Sequence, residues 1–142
     1  MRRLTPLLLV ALLSVADQSR AQPNVDTKGI TPNVKLEEVI SGHLAELNGK
    51  FKLRVTELTL APGGYLGEHH HAGPGIRLVV SGKLTFTQAG KPVIYQAGDY
   101  FYESGNVVHT AHNQTNSPVL LVFVEILPAA WQGSSVIPPK AY

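Results

Sequence analysis

From Asn48 to Leu127 the chain is cut by turn signals every few residues, and this spacing constrains the fold more than any other feature. Asn48-Gly49, Ala61-Pro62-Gly63-Gly64, Ser81-Gly82, Ala89-Gly90-Lys91-Pro92, Ala97-Gly98-Asp99 and Ser104-Gly105-Asn106 leave gaps that hold short strands but little helix. Between them lie Phe51 to Leu60, Ile76 to Val80, Lys83 to Thr87, Val93 to Gln96, Tyr100 to Glu103, His109 to Asn113 and Val119 to Leu127, several rich in β-branched and aromatic residues. Many short strands at close spacing predict an all-β sandwich or barrel.

Strand phase follows from alternation. Phe51, Leu53 and Val55 alternate with Lys52, Arg54 and Thr56, which reads as a half-buried strand, and the move of the apolar positions to Leu58 and Leu60 predicts a bulge near Thr56 and Glu57. Val119 to Leu127 is apolar apart from Glu125, as expected of a strand covered on both faces. Val34 to Leu47 fits a helical stripe and β pairing about equally, and Gln22 to Thr31 reads as a polar lead-in.

Chemistry concentrates in Glu68-His69-His70-His71. On a strand His69 and His71 share a face and His70 takes the other, so two imidazoles can meet one divalent metal. His109, on a later strand, is the best supplier of a third ligand. His112, three residues on, faces away from His109, and His43 reads as an ordinary surface or core histidine. For the His-x-His pair alone, a solvated polar loop or a chance histidine run is the commoner reading.

The first 21 residues carry a different signal. Arg2 and Arg3 precede the apolar run Leu4 to Ala16, too short to span a membrane comfortably, and Ser19 and Ala21 supply the small residues of a cleavage site. The expectation is a signal peptide over 1–21, a lead-in over 22–47, a barrel over 48–127 and a tail over 128–142. The mature protein would be periplasmic or secreted, with no membrane association after cleavage. Residues 1–21 hold three of the 12 basic and one of the 10 acidic residues, so the remainder is formally neutral and offers no footprint for nucleic acid. With no cysteine, disulfides and thiolate metal ligands are excluded.

Gly63, His69, His71 and Gly82 resemble the first motif of the cupins, and Gly98 through His109 to Asn113 resembles the second, over roughly Lys50 to Leu127 and with fifteen residues between Gly82 and Gly98. The resemblance implies a double-sheet jelly-roll (cupin) barrel, similar to small bacterial members, with His69, His71 and His109 converging on one divalent transition metal: iron, manganese, zinc, copper or nickel. Two departures stand out. The glutamate ligand usual in the first motif is here Gly75, between Pro74 and Ile76. The second motif has Ser104 and Asn106 in place of a proline and a glycine, and asparagine tolerates the positive φ such a corner needs.

Without that glutamate, three neutral imidazoles would leave the metal's charge uncompensated and the site open to anions. Glu103 is the candidate replacement ligand; Glu68 alternates away from His69, and Glu125, far along the chain, ranks lower. Arg77, two residues past Gly75, either faces the barrel as an anchor for a substrate carboxylate or sits on the surface after a break in phase. Three function classes follow: a metal-dependent enzyme, dioxygenase-like or doing other small-molecule chemistry; a non-catalytic metal-bearing module for a small anionic or sugar-like ligand; or an interaction barrel with structural histidines. A homodimer through an outer strand suits the Val119 to Val124 run.

Overall fold

The computed structural model describes residues 24–139, so the signal-peptide reading of 1–21 lies outside the described residues. Those residues form nine strands and no helix. In chain order they are β1 (Thr27–Val39), β2 (Phe51–His71), β3 (Gly75–Ser81), β4 (Lys83–Gln88), β5 (Lys91–Gln96), β6 (Tyr100–Glu103), β7 (His109–His112), β8 (Val119–Pro128) and β9 (Val136–Ile137). The path β5-β4-β7-β2-β8-β3-β6 wraps into a nearly closed jelly roll, with β1 and β9 added along β2. The first half of β2 pairs with β1 and β8, and its second half pairs with β7 and β9, so this 21-residue strand belongs to both sheets.

β1 takes up the middle of the expected 22–47 lead-in and settles the Val34 to Leu47 ambiguity in favour of strand up to Val39. Nearly all of its side chains are exposed, so the backbone ladder holds it and no apolar period announces it. The phase of β2 is also opposite to expectation. Lys52, Arg54 and Thr56 face inward with Leu58 and Leu60, while Leu53 is 38% exposed, and the β2–β8 register runs without interruption from Phe51 to Leu60. No bulge separates Thr56 from Glu57 in that pairing.

The buried cations are paired. Glu37 on β1 accepts from Arg54 Nε and Nη2 at 2.9 and 2.6 Å and lies 2.6 Å from Lys52 Nζ. The tail supplies further acceptors: Lys52 Nζ donates to Trp131 O at 2.6 Å and Arg54 Nη1 to Gly133 O at 2.7 Å. Pairing of this kind is what permits charge inside a barrel, because an unpaired buried ion costs several kcal/mol. The two cations hold the Glu37 carboxyl below its ordinary pKa. They also strap residues 131–133 across the barrel.

The phase change falls later, between Leu66 and His69, where β2 carries one extra residue against Ala111 and His109 of β7. Glycine is needed there, since a Cβ on Gly67 would come within 2.9 Å of Asp26 O. This bulge switches the inward set from Leu58, Leu60 and Leu66 to His69 and His71. Inside, those leucines pack with Val79, Leu84, Phe86, Phe101, Leu121 and Phe123. β8 is covered on one face only: Leu121, Phe123, Glu125 and Leu127 point in, whereas Val124 is 39% exposed. Leu36, Val55, Val124, Ile76 and Tyr102 lie in register across β1, β2, β8, β3 and β6 as an outward apolar row.

Candidate metal centre

The β2 bulge and the directly opposed His69–His109 pair bring three imidazoles together inside the barrel. His69, His71 and His109 are 2%, 3% and 4% exposed, and one ligand nitrogen from each lies within 4.8 Å of the others. The three residues can hold a metal ion. His70 points outward toward Gly105, and His112 packs edge-on against Tyr65, so neither joins the cluster, as strand alternation requires. His43 lies in the exposed turn after β1.

Each imidazole is oriented from behind. His69 Nδ1 lies 2.7 Å from Gly67 O, His109 Nδ1 lies 3.0 Å from Val107 O, and His71 Nδ1 lies 3.0 Å from Glu125 Oε1. The carbonyl acceptors at His69 and His109 favour the proton on Nδ1 and leave Nε2 as the free lone pair, which is how histidine ligands are commonly prepared for a metal. His71 Nδ1 is close to Glu125 without an aligned hydrogen bond. Phe86 packs on His109 with ring centroids 4.7 Å apart, and Phe123 lies edge-on to His71 at 5.9 Å. Burial and the neighbouring His109 push the His69 pKa down to about 3, and burial lowers that of His109 against the opposing pull of Glu103. Neutral rings are the protonation state a metal requires. The donor set therefore fits a transition metal of the kind imidazole favours.

Around the imidazoles stands a charged group that the sequence placed only in part. Glu103 turns inward from β6 and is 8% exposed; its oxygens lie 3.2 Å from His71 Nε2 and 3.3 Å from His109 Nε2. Arg77 is wholly buried rather than on the surface, its guanidinium 4.3 Å from the centroid of Phe123. Its Nη2 is shared by Glu103 at 2.6 Å and Glu125 at 3.1 Å. Glu125, ranked low because of its place in the chain, lies at the heart of the site, since β8 pairs with both β2 and β3. It accepts from Ser135 Oγ at 2.9 and 2.8 Å. Burial opposes its ionisation, but His71, Arg77 and Ser135 outweigh that and hold its pKa below the ordinary carboxylate value.

These partners overturn the expected charge balance. Two glutamates and one arginine give the group a net charge of minus one, the same as the single glutamate missing at position 75, so a bound metal would not stand uncompensated. The corner before His109 also survives by a different residue than expected: Gly105 takes the positive φ of 90°, not Asn106, and its carbonyl accepts from His71 N at 2.9 Å. Beyond that corner Asn113 is fully buried and donates to Leu60 O, Ala61 O and Ser117 O, pinning the end of the strand that carries His109.

Residues 56–125, from Thr56 to Glu125, match the family described as the cupin domain, and both histidine segments fall inside the match. The chain belongs to the cupin superfamily. This cupin resembles solved structures at low identity. A cupin domain protein from Bordetella pertussis is 23% identical, with 72% of this chain and 98% of that chain covered and a TM-score of 0.51. A cupin 2 conserved barrel domain protein from Salinispora arenicola is 21% identical over 84% and 92%, with a TM-score of 0.54. A double-stranded β-helix protein from Klebsiella pneumoniae is 22% identical over 78% and 85%, also at 0.54. At such identities the likeness speaks for the fold. No curated protein matches the sequence.

Two recesses flank the cluster. One, of about 570 Å³, is lined by His70, His71, Gly105, Val108 and Ile137 and reaches the cluster at His71. The other, of about 1200 Å³, lies between β1 and the tail, with Arg54 and Glu125 among walls that include Leu58, Phe123 and Trp131.

Proposed function

We propose that this cupin is an exported metal-dependent enzyme that acts on a small molecule through His69, His71 and His109. The observation that supports it most is convergence: ligand nitrogens from three separate positions meet within 4.8 Å, with the His69 and His109 rings each fixed by a backbone carbonyl at Nδ1. A buried imidazole of any role needs an acceptor, so it is the convergence of the ring nitrogens that favours a ligand set. Iron, manganese, zinc, copper or nickel bound there would supply Lewis acidity toward a substrate oxygen, and a redox-active ion would add dioxygen chemistry. The chain's part is to keep His69 and His109 neutral, to aim the rings, and to exclude water with Phe86 and Phe123. Substrate would enter by the recess at His71.

A second reading, a module that binds a small anionic or sugar-like ligand without turnover, is favoured by the larger recess, where Arg54 and Glu125 present polar groups among apolar walls. Export rests on the pattern in residues 1–21, with cleavage after Ala21 and a periplasmic or secreted product. One preparation tests the metal and the export together. Protein recovered after export should have the intact mass of a chain starting at Gln22 and should carry one equivalent of metal. Replacing His69, His71 or His109 with alanine should remove most of the metal, while His43→Ala, His70→Ala and His112→Ala should retain it. Metal-free protein in the wild type, or loss on His70→Ala with retention on His69→Ala, would refute the assignment.

A further inference from the structure

The inward row across five strands reads Glu37, Arg54, Glu125, Gly75, Glu103, each residue the register partner of the next. Gly75 is the position that lacks a side chain, and the space is not spare. A Cβ built there would collide with Arg77 Nη1 and also with the backbone carbonyl of Val124, and come within 3.1 Å of Glu125 Cγ. The guanidinium two residues further along the same strand has moved into the slot, with a glutamate on each side.

We propose that Glu103 is the fourth, carboxylate ligand of the metal and that Arg77 is the residue that positions it. The inference rests on the three-histidine reading above and adds to it the identity of the anionic ligand. Spacing is the first support. Ligand atoms about 2.1 Å from one ion stand roughly 3.0 to 3.4 Å from each other, for octahedral and tetrahedral angles respectively. The Glu103 oxygens are 3.2 and 3.3 Å from the Nε2 atoms of His71 and His109. The contacts come from different oxygens, Oε2 to His71 and Oε1 to His109, so the carboxylate faces two of the three imidazoles at the spacing of neighbouring ligands.

Polar satisfaction is the second support. Glu103 Oε2 is buried with no hydrogen-bond partner, despite lying 2.6 Å from Arg77 Nη2, because the approach is not aligned for one. Arg77 balances the charge of that oxygen without using its lone pairs in a hydrogen bond, so Oε2 keeps acceptor capacity free for a metal. Glu125 does not compete for the role. It faces His71 from the Nδ1 side and is engaged by Ser135, so it orients a ligand.

Charge gives Arg77 its part. Two glutamates sharing one buried site repel unless a cation separates them, and Arg77 Nη2 touches both. A glutamate at position 75 would supply the ligand directly and leave no room for the guanidinium. Here the carboxylate comes from the neighbouring strand instead, and the arginine that fills the vacant slot holds it in place.

Cobalt(II) titration of the metal-depleted full-length protein tests this, with affinity measured by chelator competition and ligand geometry by the visible d–d spectrum. Wild type should bind one cobalt. Glu103→Gln should keep the fold by far-ultraviolet circular dichroism, bind at least about ten-fold more weakly and change the spectrum. Arg77→Met should weaken binding by about 10 to 100-fold, as loss of an outer-shell partner does, with a spectrum that moves toward that of Glu103→Gln. Arg77→Lys, which keeps the charge without the fork, should recover part of both and serves if Arg77→Met does not fold. Wild-type affinity and spectrum in Glu103→Gln would overturn the ligand assignment while leaving the histidine site standing. Wild-type behaviour in both Arg77 variants would overturn the positioning role. Failure of the wild type to bind cobalt would overturn the three-histidine reading itself.

Discussion

Acid should unfold the metal-free protein through His69 well before the carboxylates titrate. The unfolded chain takes up a proton on this histidine near pH 6.5, whereas the folded one resists until about pH 3 because burial and His109 disfavour the imidazolium. Between those values the unfolded state binds more protons, so stability is complete above pH 6.5 and falls as the pH is lowered toward 3. From pH 7.5 to pH 5 the loss from this group alone is about 2 kcal/mol. For a domain of this size that is roughly 8 °C in Tm. His109 shifts in the same direction and adds to the effect. Denaturant titrations on chelator-treated protein at pH 7.5, 6.5, 5.5 and 5.0 would follow it, with a falling midpoint and a constant m value. His69→Gln has no proton to gain, so its stability should decline less over the same interval, by about 2 kcal/mol at pH 5. Parallel curves for His69→Gln and wild type would show that the acid loss arises elsewhere and that the buried, neutral His69 is the wrong picture.

The buried cations give a second prediction. Glu37→Gln removes the carboxylate facing both Lys52 and Arg54 and should destabilise the protein by about 2 kcal/mol, less than the ~3–5 of a fully buried pair because Glu37 is 37% exposed; a denaturation midpoint within error of wild type would refute it. The outward row gives a third. Leu36, Val55, Val124, Ile76 and Tyr102 form an apolar band that a second copy can cover, so sedimentation should report a dimer and Ile76→Glu a monomer with unchanged metal content. A monomeric wild type would remove that reading of the band.

What the sequence made legible was governed by local alternation. Turn spacing marked out the barrel strands, and the parity of His-x-His put His69 and His71 on one face. Alternation misled where tertiary pairing supplied what hydrophobicity did not. Lys52 and Arg54 read as solvent-facing because nothing in their own strand shows Glu37 and the carbonyls of Trp131 and Gly133 waiting for them. β1 was legible only as one of two readings from Val34 on and not at all before it, because a strand held by its ladder, with almost no buried side chain, has no period to detect. Glu125 is the clearest loss. Its distance along the chain counted against it, yet cross-strand register, which no single segment encodes, sets it opposite both Arg54 and Gly75.

That β2 serves both sheets has a consequence for the order in which the molecule is made. Its partners lie on both sides of it in the chain, and the pairings that hold the site span long separations: 48 residues from Arg77 to Glu125, 53 from Leu60 to Asn113 and 79 from Arg54 to Gly133. Few of these contacts can form while part of the chain is still being synthesised, because β8 and the tail emerge last. A topology dominated by such distant pairings folds slowly, on the millisecond to second scale. The histidine run would therefore spend that interval without Glu125, Glu103 or His109 beside it. Selection of the metal falls to the finished barrel, after the C-terminal segment has closed over His71.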